Sequence, residues 1–236
     1  MVTDPQHIRT ALGRNLTYGL LDALGKAIVT GVYEDKPFPT EAELSKQHAV
    51  SRSVTREAVK MLTAKGLLSA RPRQGTIVQP VSNWNLFDPD VLRWLLDRKF
   101  SIDLLRQFSQ LRSAIEPAAA ALAATAADAD GLAAIRAGFA RMAAAERGED
   151  DALDADIAFH VAILRASNNP FFAQFRDVVT TALHTSIRFT NRIKGRTADL
   201  AQHGAVLKAI EDRTPDAAQA AMRAIISDVV ELIDQV

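Results

Sequence analysis

Residues 38–78, FPTEAELSKQHAVSRSVTREAVKMLTAKGLLSARPRQGTIV, constrain the fold of this chain more than any other stretch. Thr40 stands three residues before Glu43, the spacing of a capping box that starts a helix, expected over 41–47 with Leu44 buried. The tight turn His48-Ala49-Val50-Ser51 leads to a second helix. Ser51 or Ser53 caps it, it reaches about residue 65, and Val54, Ala58, Met61 and Leu62 lie on its inner face. Gly66 suits the position after a helix, where positive φ is common. Residues 67–70 and 76–79 have the pattern of two short strands joined by Arg71-Pro72-Arg73-Gln74-Gly75. Two short helices followed by a basic hairpin are the parts of a winged helix-turn-helix, whose second helix enters a DNA major groove.

The residues around those parts suit that task. Ser51, Arg52, Ser53, Thr55 and Arg56 cluster at the start of the second helix, where side chains reach base edges. An Arg can pair with guanine through two hydrogen bonds, worth roughly 1–3 kcal/mol of discrimination. Hydroxyls and the helix N-terminus suit phosphate oxygens. The hairpin residues Arg71, Arg73, Gln74, Gly75 and Thr76 suit the backbone or the minor groove. The alternative is a plain solvated face, which two basic clusters on one side disfavour.

Charge agrees. Residues 1–80 carry eleven Lys and Arg against seven Asp and Glu, whereas residues 81–236 carry seventeen against twenty-one. A basic front and an acidic back suit one domain that meets phosphate and another that does not. The 236 residues have room for two cores. The expected division is a DNA-binding domain over 1–80, a linker and connecting helix over 81–99, and a second domain over 100–236. With no cysteine and no long apolar run, a cytoplasmic protein without membrane contact is expected.

Ahead of the capping box, an amphipathic helix fits 18–30 with Leu20, Leu21, Leu24 and Ile28 at helical spacing, closed by Gly31. In the junction, Trp84 and Phe87 are expected to anchor the linker, and Asp88 to cap a helix reaching about 97. The remainder has helical periodicity over 101–125, 127–148, 151–167, 170–193, 197–213 and 214–235, with no strand pattern after residue 80. The chain is therefore expected to be mainly α, with an all-α antiparallel bundle at its back.

Asp156 and His160 are one helical turn apart, on the face that also carries Leu153, Ile163 and Leu164. His203, on a later helix, also faces the apolar side. A carboxylate and imidazoles so placed can share a divalent cation, or Asp156 and His160 can simply hydrogen-bond inside the core.

The front segment resembles the DNA-binding domain of the GntR family of bacterial transcription regulators, through Val50-Ser51-Arg52, Arg56-Glu57-Ala58 and the Gly66-Leu67-Leu68 to Val78 ending. The resemblance implies operator contacts by Arg52 and Arg56, supported by a wing over Arg71 to Thr76. Many members carry a further base-contacting Arg where this chain has Ala42. From about residue 100 the chain is similar to the FCD effector-binding domain of the FadR subfamily, through Arg112 to Pro117, Asp156 to His160, the Ser167-Asn168-Asn169-Pro170 turn and Gln202 to Ile210. That likeness implies a homodimer binding double-stranded operator DNA and a small carboxylic-acid effector, with a divalent metal held by Asp156, His160 and His203. Zinc is the expected ion, with nickel or manganese as alternatives. A further histidine of the family pattern is replaced by Ile225. Arg112 is expected to take the effector's carboxylate, or alternatively to pair with Glu116, and His184 to contact the effector. The junction 84–96 is similar to that of galactonate-operon repressors, which favours a sugar acid and a repressor released by it. A metal-dependent enzyme built on Asp156, His160 and His203 is the competing reading, against which the fused DNA-binding domain argues. A metal-free effector-binding regulator is the other.

Overall fold

The computed structural model describes residues 5–71, 75–99, 101–193 and 199–234, with side chains described over 15–70, 75–99, 101–186 and 199–233. The chain divides into two compact units, Met1–Lys99 and Phe100–Val236.

The first unit opens on α1, Pro5–Val29. Leu20, Leu21, Leu24 and Ile28 are buried as their spacing requires. The helix begins thirteen residues before the expected start: Ile8, Leu12 and Leu16 carry the helical spacing upstream, and Pro5 fits its first position. Gly31, at φ +85°, turns the chain after it.

Next comes α2, Glu41–Gln47, started by the Thr40–Glu43 capping box: Glu43 N donates to Thr40 Oγ1 (3.3 Å) and Thr40 N to Glu43 Oε2 (2.8 Å). Ser51 caps α3, Arg52–Ala64, accepting from Val54 N. Gly66 follows at φ +78°, and a Cβ there would stand 2.1 Å from the carbonyl oxygen of Asn83, so glycine is required twice over. The strands β1, Leu68–Arg71, and β2, Gly75–Val78, pair antiparallel with Leu68 opposite Val78, each one residue from the expected span.

Residues beyond the hairpin fold back onto this unit. Trp84 is buried and donates from Nε1 to the Gln79 carbonyl (2.8 Å), an anchor as expected. Phe87, expected to anchor with it, is 57% exposed. Asp88 caps α4, Pro89–Leu95, and Lys65 at the end of α3 bridges to both Asp88 and Asp90. Trp94 of α4 is buried against α1, with its Nε1 donating to Asp22 Oδ1 (2.8 Å). Gly25 makes room for it: a Cβ there would lie 2.3 Å from the indole ring.

The second unit is helical throughout its described residues: α5 Ile102–Ala126, α6 Ala129–Glu146, α7 Ala152–Ala166, α8 Pro170–Ala173, α9 Arg176–Ile193, α10 Leu200–Glu211 and α11 Pro215–Asp234. The single helix expected over 170–193 is interrupted at 174–175, where Gln174 and Phe175 close α8 by turn hydrogen bonds. Central α5 packs against α7, α9, α10 and α11, while α6 lies along α7 and α10. Ala119, Ala120, Ala123 and Ala124 are buried on α5, and such short side chains let neighbouring helices approach closely. At Gly138 the approach is backbone to backbone, since a Cβ would stand 2.8 Å from Phe159 Cα. No described helix is long and apolar enough to cross a membrane.

Candidate functional site

The N-terminus of α3 presents Ser51, Arg52, Ser53 and Arg56 to solvent. Ser51 and Ser53 share a hydroxyl contact of 2.8 Å, and Arg56 Nε lies 3.4 Å from Glu41 Oε2. An exposed pair of that length is worth at most about 1 kcal/mol, so Arg56 is readily redirected to another anion. Thr55 is different. It was expected on the reading face but is 0% exposed, because it lies three residues from Ala58 and seven from Leu62 on the buried stripe. Its hydroxyl meets Ser45 Oγ (2.9 Å) and the Ser51 carbonyl (3.3 Å), joining α2 to α3. In the hairpin, Gly75 is exposed at φ +76° with open space around it, and Thr76 is half-buried. The backbone of Arg71 ends β1, while Arg73 and Gln74 lie outside the described residues.

The second unit holds a buried polar centre. Helix α7 carries Asp156 and His160, and α10 carries His203, all nearly inaccessible. Asp156 Oδ1 lies 3.1 Å from His203 Nε2 and 3.6 Å from His160 Nε2, and the two Nε2 atoms are 3.3 Å apart. The far side of each ring sets where its proton resides. His203 Nδ1 lies 2.7 Å from the Asp199 carbonyl, which only accepts, so Nδ1 carries a proton. His160 Nδ1 likewise donates to the Glu116 carboxylate through Oε2. With both Nδ1 atoms protonated, two ring lone pairs and one carboxylate oxygen converge on a single point. Asp156 Oδ1 is buried there without a hydrogen bond. The 3.1 Å contact to His203 does not remedy this, since a neutral ring so bonded has no proton on Nε2.

Three converging acceptors repel one another unless a positive charge stands among them. A proton on His160 is one solution. Burial opposes that charge, but Glu116 and then Asp156 outweigh burial and push His160 up to about 9. Burial would likewise raise Glu116, but Arg112 and His160 hold it at about 2; His160 and His203 together keep Asp156 below the usual carboxylate range. A divalent cation is the other solution, and the donor set fits one: two imidazole nitrogens and a carboxylate oxygen, all within 4.8 Å of one another, with each imidazole held from behind.

Glu116 belongs to the centre as well, although its spacing from Arg112 points only to a pair within α5. It faces the centre from α5, accepting from His160 with Oε2 and from Arg112 Nε with Oε1 (2.5 Å). The alternative noted for Arg112, a pair with Glu116, is thus present. Its two Nη nitrogens make no hydrogen bond among the described residues. The Asp199 carbonyl was not anticipated either, although its place four residues before His203 is the spacing of one helical turn. His184 is half-buried on α9 and is not one of the three converging ligands, and Ile225 is buried in the apolar core of α11.

A helix-turn-helix with an exposed basic face and a separate helical unit with a buried Asp–His–His centre are the parts of a transcription regulator, the class to which its relatives belong. Residues 17–78 match the bacterial regulatory proteins of the gntR family, and residues 107–228 match the FCD domain. The chain is 36% identical over 219 residues to the HTH-type transcriptional regulator YieP of Escherichia coli (strain K12), covering 92% of this chain and 94% of that one. It is 34% identical over 224 residues to the galactonate operon transcriptional repressor of the same organism, covering 92% and 97%. Among solved structures, Streptococcus agalactiae GntR is similar, with a TM-score of 0.50 and 26% identity over 91% of this chain and 99% of that one. The chain belongs to the GntR family of transcription regulators, with a C-terminal FCD domain. Its relatives are regulators, not enzymes, so Asp156, His160 and His203 are not assigned to catalysis.

Proposed function

We propose that this chain is a cytoplasmic, homodimeric repressor that leaves its operator when a small carboxylic acid, of the sugar-acid class, binds its helical unit. The observation that carries the reading is the convergence of Asp156 Oδ1, His160 Nε2 and His203 Nε2 on one point, two of them held in ligating tautomers by Glu116 and Asp199. These three residues hold a divalent ion, with zinc preferred because two imidazoles and one carboxylate leave an open position in its usual four-ligand shell. Bound there, such an ion supplies positive charge to the carboxylate and hydroxyl oxygens of an acid.

The residues of the chain do the rest. Arg112 keeps its Nη fork for the effector's carboxylate while its Nε stays on Glu116. His184 contacts the same ligand from α9. Arg52 and Arg56 read the operator from α3, with Ser51 and Ser53 on phosphate oxygens and the wing, Arg71 to Thr76, on the flanking backbone. The likeness to a galactonate operon repressor supports both the sign of regulation and the class of acid. A metal-free centre is the second reading, supported by the ability of a proton on His160 to satisfy the same acceptors.

Elemental analysis of the purified protein, followed by a thermal-shift screen of aldonates with and without chelator, tests the proposal. A binding acid raises the melting temperature, and the rise shrinks after chelation and in Asp156→Ala. Equal stabilisation in all three samples would select the metal-free reading; no stabilisation by any sugar acid would remove the effector class.

A further inference from the structure

Glu116 is not one of the three converging ligands, yet it is among the most enclosed carboxylates described, at 1% exposure. A charge so buried is costly unless every oxygen is matched. Its two oxygens are divided: Oε1 takes the Nε of Arg112, one turn earlier on α5, and Oε2 takes the Nδ1 of His160 on α7. His203 is supported differently, by a neutral backbone carbonyl of its own helix. On the Nδ1 side, among the described residues, His160 alone is backed by a side chain that carries a full charge.

That asymmetry has a chemical consequence. A carboxylate behind Nδ1–H holds the ring in the tautomer whose Nε2 lone pair faces Asp156 and His203, and makes that nitrogen a stronger donor. The strength depends on how much of the Glu116 charge Arg112 draws to itself. When the Arg112 guanidinium is neutralised, Glu116 turns more of its charge toward His160, and Nε2 donates more strongly.

We propose that Glu116 is a positioning residue that fixes His160 for a divalent ion and passes the charge state of Arg112 to it. An anion received by Arg112 thereby tightens the ion, and by reciprocity the ion tightens the anion. This rests on the ion-binding reading of Asp156, His160 and His203 given above.

Zinc alone is the probe, titrated calorimetrically into chelator-treated full-length chain. Glu116→Gln is expected to weaken zinc by about 10- to 100-fold, the usual cost of losing a carboxylate behind a ligating histidine. Glu116→Asp, too short to reach both partners, is expected to weaken it several-fold and serves if the Gln variant does not fold. Arg112→Gln is expected to act in the opposite direction, tightening zinc several-fold in the parent chain and leaving it unchanged in the Glu116→Gln background. A merely structural role predicts weakening in every variant. Nitrogen-15 histidine spectra of the zinc-loaded chain should show the His160 proton on Nδ1, with that resonance shifted in Glu116→Gln as its acceptor changes from a carboxylate to a neutral amide. Parent affinity in both Glu116 variants, with zinc lost in Asp156→Ala, would overturn the positioning role and leave the ion site standing. An equal effect of Arg112→Gln in both backgrounds would overturn the transmission through Glu116. No zinc uptake by the parent chain would overturn the ion reading and this inference with it.

Discussion

In the presence of chelator, raising the pH should loosen the helical unit, by an amount the buried centre allows to be worked out. Without an ion, the charge among the three acceptors is a proton on His160, whose folded-state value of about 9 stands above the ordinary 6.5. A folded value above the unfolded one means that stabilisation is fully present below about pH 6.5 and is lost as the pH rises through about 9. The interval from 6.5 to about 9 corresponds to about 3 kcal/mol. At about 3 °C per kcal/mol for a unit of this size, the melting temperature falls by roughly 10 °C across that interval. A divalent ion replaces the proton, so zinc-loaded protein should not show this fall, and the zinc-induced increment should grow with pH. Scanning calorimetry at pH 6.5, 7.5, 8.5 and 9.5, with chelator or with excess zinc, measures both curves. Groups elsewhere that titrate near pH 9.5 affect the two samples alike and cancel in their difference. A level melting temperature in chelator, or a zinc increment that does not change with pH, would refute the reasoning.

Replacing Arg52 and Arg56 together by Ala should lower affinity for a promoter fragment by about 30-fold or more, at roughly 1–3 kcal/mol per base-reading Arg. Measured by fluorescence anisotropy, the residual binding should also depend less steeply on salt, whereas unchanged binding would exclude α3 as the reading element. Gly138→Ala, which drives a methyl into the backbone at Phe159, should destabilise the helical unit by about 1–3 kcal/mol in chemical denaturation. Gly25→Ala should cost the first unit a similar amount, about 1–3 kcal/mol, with Trp94 fluorescence shifted to the red as the indole is displaced; an unshifted spectrum would show that the ring accommodates the methyl.

The parts legible in the sequence are those whose chemistry is local. The Thr40–Glu43 box, the Asp88 cap and the positive-φ glycine at 66 each act within a few residues and lie where their spacing implies, and of the two candidate serines Ser51 is the one that caps α3. Asp156 and His160 were legible as a pair for the same reason, being one turn apart on one helix. What escaped depends on neighbours distant in sequence. Glu116 looks like one half of an i,i+4 pair with Arg112 until α7 places His160 against its second oxygen. The Thr55 hydroxyl suits phosphate, but its register with Ala58 and Leu62 makes it an inward residue. The first half of α1 carries Ile8, Leu12 and Leu16 four residues apart, a stripe that the expected span leaves out, and residue type does not separate the exposed Phe87 from the buried Trp84.

The Trp94 plug bears on how such a regulator can be recombined. With the indole seated over Gly25 and bonded to Asp22, and with Lys65 bridged to Asp88 and Asp90, the DNA-reading half of this protein closes only once α4 has been included. A graft that ends after the hairpin, at Pro80, would strip α1 of its cover and carry a vacant socket into the new host. A graft that ends past Leu96 would transfer the operator-reading half as a finished part, ready to be placed under the control of a different sensor.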